Sequence, residues 1–317
     1  MKKTTKTALF GTLMVLAAAA CWGTVGVYIR ALTAAGLSSW EIALVRMGVA
    51  LVALLAYLLP FRPSALKLKK KDIWVFAASG LGSVMGANIC YSQAVGVTSL
   101  AVAGTLLYTA PAFVMLISAF AFRERLTVKK VFCLLLSFAG CALVSGLLGG
   151  VEVTPYGLLM GLGAGFTYSL YSIFSRLAIE RGYSGWTITF YSFAFAELGF
   201  LVFSHPEKIV TAISIDPTVL IPMLLLGFVA GFMAFVLYTL GLGFLETGRA
   251  SIVASTELVF GALVGAAVFR ETVNGIQALG IVLLLSSVVL LSISGKKSPS
   301  VSKTVYKEKA AEETADH

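Results

Sequence analysis

Charged residues are scarce in this sequence of 317 residues. Only 12% of the chain is Asp, Glu, Lys or Arg, while 58% is hydrophobic and the mean hydropathy is +0.93. Soluble domains carry about 25% charged residues, and a water-soluble core could not bury this apolar excess. The lack of charge therefore excludes a soluble protein and predicts an integral membrane protein.

Histidine, cysteine and the motifs of metal and phosphate chemistry are also scarce or absent. The only histidines are His205 in a predicted loop and His317 at the end of the chain. The sequence contains no Walker lysine motif, no His-Glu zinc pair and no Gly-x-Ser-x-Gly elbow. We therefore expect no metal, no cofactor, no enzymatic activity and no ATP-driven step. The four cysteines lie singly in apolar runs, which favours buried thiols over disulfides: Cys21, Cys90, Cys133 and Cys141.

Long apolar runs are what the sequence has instead. About 20 mostly apolar helical residues cross the hydrocarbon core of a bilayer. The first run continues past Cys21 to Arg30 and is therefore interpreted as an uncleaved helix and not as a signal peptide. The chain predicts ten transmembrane helices, over residues 9–29, 40–59, 73–95, 98–121, 130–148, 156–178, 186–204, 219–241, 247–269 and 275–294.

The basic residues are distributed unequally between the two sides of these spans. If the N-terminus is cytoplasmic, only Arg30, Lys208 and Arg270 fall on the outer side, and Arg46 lies within a span. All other Lys and Arg residues fall on the inner side. The positive-inside rule then predicts a multi-pass protein of the cell membrane with both termini in the cytoplasm. The polar segment 295–317 is predicted to be a disordered cytoplasmic tail. The net charge of +9 requires no nucleic acid partner.

The sequence also matches itself. A shift of 147 residues places "TAPAFVMLISAFAFRE" (109–124) on "TELVFGALVGAAVFRE" (256–271), and Trp40 matches Trp186 at a shift of 146. The repeat predicts two halves of five spans each, 1–148 and 149–294. Because five is odd, the second half enters the membrane from the opposite side. Inverted repeats of this kind are typical of alternating-access transporters.

The sequence resembles the EamA-type members of the drug/metabolite transporter superfamily. The resemblance rests on "CWGTVGVYIR" (21–30), Arg46, Pro111 before "FRERLT" (122–127), and "STELVF" (255–260) before "FRETV" (269–273). Family members often have Glu-Pro where this chain has Glu257 followed by leucine, so the proline break is missing there. The resemblance implies export or exchange of small metabolites, such as amino acids, through a central cavity.

Three charged residues lie well inside predicted spans, where a charge costs about 2.5–3.5 kcal/mol by insertion scales. Glu257 is either a proton carrier or partner of a substrate ammonium group, or a structural glutamate; its match in the first half is Ala110. Arg46 either anchors its helix to carbonyl groups of another span or binds a substrate carboxylate. Glu197 is either a structural partner of Arg46 or Glu257, or takes part in ion coupling.

Aromatic and amide side chains within the spans are the other candidate site residues. Such groups can hold a small amphipathic molecule by stacking, cation–π contacts and a few hydrogen bonds. The alternative is that they form interfacial belts. The predicted lining residues are Trp22, Asn88, Tyr91, Gln93, Tyr108, Tyr168, Tyr171 and Tyr238.

These features predict a secondary active transporter that moves a small metabolite outward or in exchange, with protons or a cation as the coupling ion and membrane lipids as its surroundings. An uncoupled facilitator and a flippase for lipid carriers remain alternatives at this stage. A membrane-embedded enzyme is disfavoured because paired acidic residues are absent inside the spans.

Overall fold

The computed structural model describes residues 2–98, 100–145, 154–270 and 273–293, and these residues form helices and short connections without strands. The predicted all-α class is therefore confirmed. The helices are α1 (Lys2–Gly23), α2 (Val25–Ala34), α3 (Ser39–Phe61), α4 (Ile73–Ala77), α5 (Gly86–Val97), α6 (Leu100–Leu107), α7 (Ala110–Ala121), α8 (Val128–Val144), α9 (Pro155–Glu180), α10 (Gly185–Phe203), α11 (Pro206–Ile215), α12 (Leu220–Leu225), α13 (Ala234–Leu242), α14 (Thr247–Ala254), α15 (Glu257–Phe269) and α16 (Gly275–Ile293).

Several of these helices join end to end into membrane spans. Within the described residues, eight stretches are long and apolar enough to cross a membrane: Ala8–Ala34, Ser39–Phe61, Lys70–Val97, Val102–Ala121, Pro155–Glu180, Gly185–Phe203, Pro217–Leu242 and Thr247–Phe269. The protein is thus a multi-pass membrane protein. The shorter apolar helices α8 and α16 occupy the positions of the predicted fifth and tenth spans, and the total of ten stays a prediction.

Helices α8 and α16 pack against each other at a crossing of two glycines. A Cβ atom added at Gly140 would lie 2.8 Å from the carbonyl oxygen of Gly280, and one at Gly280 would lie 2.8 Å from that of Gly140. Small residues at such crossings allow two helix backbones to approach closely within a membrane.

The two halves share irregular backbone features at matching positions. A π-helical segment joins α4 to α5 at Ala78–Met85, and another joins α12 to α13 at Leu226–Met233. Arg123 and Arg270, in the repeated "FRE" triplets, both have left-handed backbones with φ of 54° and 55°. Non-glycine residues rarely adopt this conformation. The recurrence of unusual geometry therefore supports the duplication independently of the residue matches.

Packing between the halves follows a twofold pattern. Helix α1 packs on α13, and its counterpart α9 packs on α5. Helix α3 packs on the second π-helical segment, and its counterpart α10 packs on the first. Exchanging the halves exchanges these contacts, as a twofold axis requires. With the predicted five spans in each half, this axis would lie in the membrane plane and the repeats would be inverted.

Two regions of the sequence-based prediction need comment. The connection between α10 and α12 is not simply a loop, since it contains the helix α11, which begins at Pro206 and has exposed Val210 and Ile215. The predicted tail, residues 295–317, and the predicted boundary between the halves at 148 lie outside the described residues.

Candidate substrate cavity

A cavity of about 580 Å³ lies between the two halves, and residues from both halves line it. Its volume lies within the range of about 300–1,000 Å³ that small-ligand pockets occupy. Like most such pockets, it has a largely apolar wall with a few polar groups.

One end of the cavity is closed by aromatic side chains. Trp22 contacts Phe235 and Tyr238 with ring-centroid distances of 5.1 and 5.5 Å, and Tyr171 contacts Phe235 at 5.1 Å. Trp22, Tyr171 and Tyr238 are each less than a tenth exposed. Edge-to-face packing of this kind stabilises aromatic clusters beyond the area that they bury. We refer to these four residues as the aromatic floor.

The cavity extends from the aromatic floor toward the turn between α2 and α3. Ile29, Arg30 and Thr33 of α2 and Ser39 of α3 line this part. Among the described residues of α1 and α3, none from 8–21 or 48–61 lines the cavity. The cavity therefore occupies the half of the bundle that the distribution of basic residues predicts to be extracellular.

Beyond the aromatic floor, polar contacts hold the two halves together. Glu124, after α7, accepts a hydrogen bond at Oε1 from the backbone N–H of Thr247 (2.7 Å) and another at Oε2 from that of Gly248 (3.3 Å). The ammonium group of Lys130 lies 2.6 Å from the carboxylate of Glu246. The carboxylate of Glu124 thus caps the positive N-terminal end of α14, which is a favourable position for an anion.

Arg46 lies on the wall of the cavity and is anchored to a neighbouring helix. Its Nη2 donates to the carbonyl oxygen of Ala230 (2.9 Å), within the second π-helical segment, and its guanidinium lies 5.4 Å from the ring centre of Phe235. The Nε atom is buried without a hydrogen-bond partner. The side chain therefore makes the anchoring contact that the sequence left open, while its buried Nε has no partner among the described residues.

Glu257 begins α15 immediately after an interruption of the ninth predicted span. Ser255 and Thr256 turn their hydroxyl groups back to the carbonyl oxygens of Ile252 and Val253, each at 2.7 Å. Such local bonds compete with helical hydrogen bonds and bend helices. The interruption therefore forms without the proline that the sequence lacks here, and it matches the one at residues 108–109 in the first half.

The carboxylate of Glu257 is held by one neighbour at the cavity wall. The hydroxyl of Tyr108 donates to its Oε1 at 2.6 Å. Arg46 and Glu257 influence each other electrostatically, yet the ion pairs within 4.0 Å among the described residues do not include them. The cavity thus presents a guanidinium group and a carboxyl group that do not form a direct ion pair.

Further polar atoms of the cavity wall lack partners. Nε1 of Trp22, Oγ of Ser83 and Oδ1 of Asn88 are buried, and no described residue forms a hydrogen bond with them. More than nine in ten buried polar groups in proteins have a partner. The residues of the wall therefore include unpaired hydrogen-bonding atoms.

The structure places nearly all candidate residues from the sequence along the cavity. Glu257, Arg46, Trp22, Asn88, Tyr91, Tyr108, Tyr168, Tyr171 and Tyr238 line it. Gln93 does not, because it is two residues from Tyr91 and lies on the exposed face of α5.

Glu197 also lies away from the cavity, between α10 and α3. A Cβ atom at Gly48 would lie 3.0 Å from its Oε1, and its Oε2 is buried without a partner. The hydrogen bonds and ion pairs of the described residues join it to neither Arg46 nor Glu257. Glu197 faces the interface between α10 and α3, so it does not pair directly with Arg46 or Glu257. Its role in ion coupling stays a prediction.

Sequence reasoning missed some of the residues that line the cavity. Phe235 is part of the aromatic floor, and Ser172 forms a 2.6 Å hydrogen bond with the hydroxyl of Tyr238. Helical spacing was an available signal, since Phe235 precedes Tyr238 by three residues and Ser172 follows Tyr168 by four.

Comparison with known proteins identifies a family model that matches both halves and curated relatives that match part of the chain. The model of the "EamA-like transporter family" matches residues 9–146 and again residues 155–293. An "Uncharacterized transporter" of Archaeoglobus fulgidus is 30% identical over 209 residues, which are 63% of this chain and 70% of that protein. Proteins of Salmonella typhimurium and Escherichia coli, each named "Probable amino-acid metabolite efflux pump", are 27% and 24% identical over 56% of this chain and 62% of their own lengths.

A solved structure shares the fold. It is described only as "Crystal structure of protein" and superposes with a TM-score of 0.74 at 20% identity, covering 89% of this chain and 96% of its own. This similarity supports the helical architecture alone. The family model, by contrast, covers both halves with their repeated motifs, and the chain therefore belongs to the EamA-like transporter family.

Proposed function

We propose that this transporter carries a small zwitterionic metabolite of the amino acid class and exchanges it for a proton. The carrying observation is that the guanidinium group of Arg46 and the carboxyl group of Glu257 line one cavity without a direct ion pair. A zwitterion supplies a carboxylate and an ammonium group, so it can satisfy both residues at once.

The groups around the cavity suit the two ends of such a molecule. The guanidinium group of Arg46 has a geometry that complements a carboxylate, and its buried Nε has no partner among the described residues. The carboxylate of Glu257, fixed by Tyr108, complements an ammonium group. The apolar and aromatic wall suits the side chain of the substrate. The names of the Salmonella and Escherichia relatives agree with this substrate class and with outward transport.

Glu257 is the group that we assign to coupling. A carboxylic acid at this position can hold either a proton or, once ionised, the ammonium group of the substrate. The two occupants compete, so release of one at one side favours loading of the other. An inverted-repeat transporter can exchange the packing of its halves and so open the same site to the opposite side. Together these properties give a proton–substrate exchanger.

The experiment uses the full chain reconstituted in liposomes. Counterflow of labelled amino acids would identify the substrate, and an imposed pH gradient would measure coupled transport. We expect Glu257→Gln to abolish the response to the pH gradient by removing the titratable group. The matched control is Glu197→Gln, which makes the same chemical change outside the cavity and should keep the response. Normal proton-driven transport by Glu257→Gln would refute the coupling role.

The substrate class has a separate test in the same liposomes. Arg46→Gln should weaken counterflow of zwitterions more than counterflow of the corresponding amines, which have no carboxylate. Equal losses for both would mean that Arg46 only anchors its helix. Transport that ignores the pH gradient in the wild-type chain would favour an uncoupled facilitator.

A further inference from the structure

The connection between α3 and α4 is a basic loop with a fixed backbone. Tyr191 donates from its hydroxyl to the carbonyl oxygen of Leu66 (2.6 Å), and the backbone N–H of Lys69 donates to the hydroxyl of Tyr183 (3.2 Å). At the end of the loop, the buried carboxylate of Asp72 accepts a hydrogen bond from Tyr183 at 2.7 Å. Both tyrosines belong to the second half, so the loop is tied across the two halves at three points.

Five cations of this loop are exposed. Their side chains belong to Arg62, Lys67, Lys69, Lys70 and Lys71, and the ion pairs of the described residues include none of them. The neighbouring acid, Asp72, is only 3% exposed, and its Oδ1 lies 2.5 Å from the guanidinium of Arg181. Its charge is therefore already matched, and the five exposed cations form an uncompensated positive surface.

Exposed apolar side chains place this surface at the edge of the membrane. Phe61, 71% exposed, directly precedes Arg62, and Trp74, 51% exposed, follows Lys71 by three residues. Large apolar side chains exposed next to a membrane span face lipid, and tryptophan is enriched at the level of the headgroups. The cations thus lie where acyl chains end and phosphate groups begin.

We infer that residues 62–71 form a binding site for the headgroup of an anionic phospholipid. Clusters of Lys and Arg directly beside a membrane span attract acidic lipids. The positive-inside rule depends only on the presence of basic residues on the cytoplasmic side. In this loop the basic residues are also held on a backbone that hydrogen bonds fix in place. The adjacent Phe61 and Trp74 offer contact with acyl chains, which favours a lipid over a free anion or a nucleic acid. A bound lipid would stabilise the contact of this loop with Tyr183 and Tyr191 of the second half.

The test is native mass spectrometry of the purified full chain with phosphatidylglycerol or phosphatidylcholine added to the micelles. The variant is Lys67→Gln/Lys70→Gln/Lys71→Gln, and the control is the triple substitution to Arg, which keeps the charge. We expect the wild type and the Arg variant to prefer phosphatidylglycerol. The Gln variant should bind it about 100-fold more weakly, because each cation contributes about 1 kcal/mol near an anionic surface.

The outcomes separate a lipid site from its alternatives. Equal retention of the two lipids by the wild type, or unchanged phosphatidylglycerol binding by the Gln variant, would overturn the inference and leave the charges an orienting role only. Displacement of the lipid by inorganic phosphate at similar concentration would also overturn it, since it would indicate a free-anion site. If the triple Gln variant does not fold, the single variants should each show an about fivefold loss.

Discussion

Substitution of Glu124 by glutamine tests whether the contact beyond the aromatic floor sets the resting conformation. Both carboxylate oxygens accept backbone hydrogen bonds at the start of α14, from Thr247 at 2.7 Å and Gly248 at 3.3 Å. Glu124 belongs to the first half and α14 to the second. The contact must therefore break if the halves separate at this end to open the cavity to the opposite side.

The magnitude follows from these two bonds. Hydrogen bonds to a charged group contribute about 1.5–3 kcal/mol. Glutamine keeps one carbonyl acceptor but removes the charge that interacts with the helix N-terminus. Because Glu124 is partly exposed, we take the lower value, about 1.5 kcal/mol, which corresponds to an about tenfold shift toward the conformation open at this end.

Thiol accessibility measures this shift. Ser175 is fully buried behind the aromatic floor, so a cysteine introduced there, in a chain without the native cysteines, should react slowly with a membrane-impermeant reagent. We expect Glu124→Gln to raise the labelling rate about tenfold when the reagent is added on the side of the membrane where α14 begins. Glu180→Gln is the control, since Glu180 pairs with Arg176 of its own helix. Equal rates in the two variants would refute the reasoning.

Two further substitutions test packing and the cavity. We expect Gly140→Ala to destabilise the protein by about 1–3 kcal/mol through overpacking and so to lower Tm, because the added Cβ would lie 2.8 Å from the carbonyl oxygen of Gly280. The control Gly275→Ala should leave Tm unchanged, because no atom lies within 4 Å of the added Cβ. An equal Tm for both would contradict the glycine crossing. We expect Tyr108→Phe to raise KM in counterflow about tenfold by removing the bond to Glu257, with little change in Tm, whereas an unchanged KM would contradict its positioning role.

The helical class and the inverted duplication were predictable because they depend on composition and on recurrence along the chain. Length and apolarity identify a span whichever way its helix is rotated. The repeated "FRE" triplet indicated the duplication, and the structure adds matching left-handed backbones at Arg123 and Arg270. These features need no knowledge of which helices are neighbours.

The direction in which each side chain points was less predictable. In a soluble helix, the contrast between polar and apolar faces indicates which side is buried. In this protein the lipid and the core are both apolar, so Gln93 and Tyr91 carry similar signals although only Tyr91 lines the cavity. Glu197 and Glu257 are equally unusual as acidic residues inside apolar spans. Only the packing of α10 against α3 shows that Glu197 lies outside the cavity.

The two halves carry different chemistry on matching backbones, and this asymmetry supports the proposed substrate site. Arg46 donates to Ala230 in one π-helical segment, while its match, Ser192, donates to Ser79 in the other at 2.8 Å. The same contrast exists between Glu257 and its match in the first half, Ala110. The double variant Ala110→Glu/Glu257→Ala exchanges these two side chains.

The double variant tests whether position or mere presence of the carboxylate matters. Ala110 also lines the cavity, so the moved side chain has room and the chain should fold with a near-normal Tm. Transport driven by a pH gradient should nevertheless stay lost, because residue 110 lies on the same helical span as Tyr108 and cannot take the place that Glu257 occupies across from it. Recovery of the wild-type rate would refute this view. A carboxylate anywhere in the cavity would then suffice, and the asymmetry of the halves would carry no mechanistic meaning.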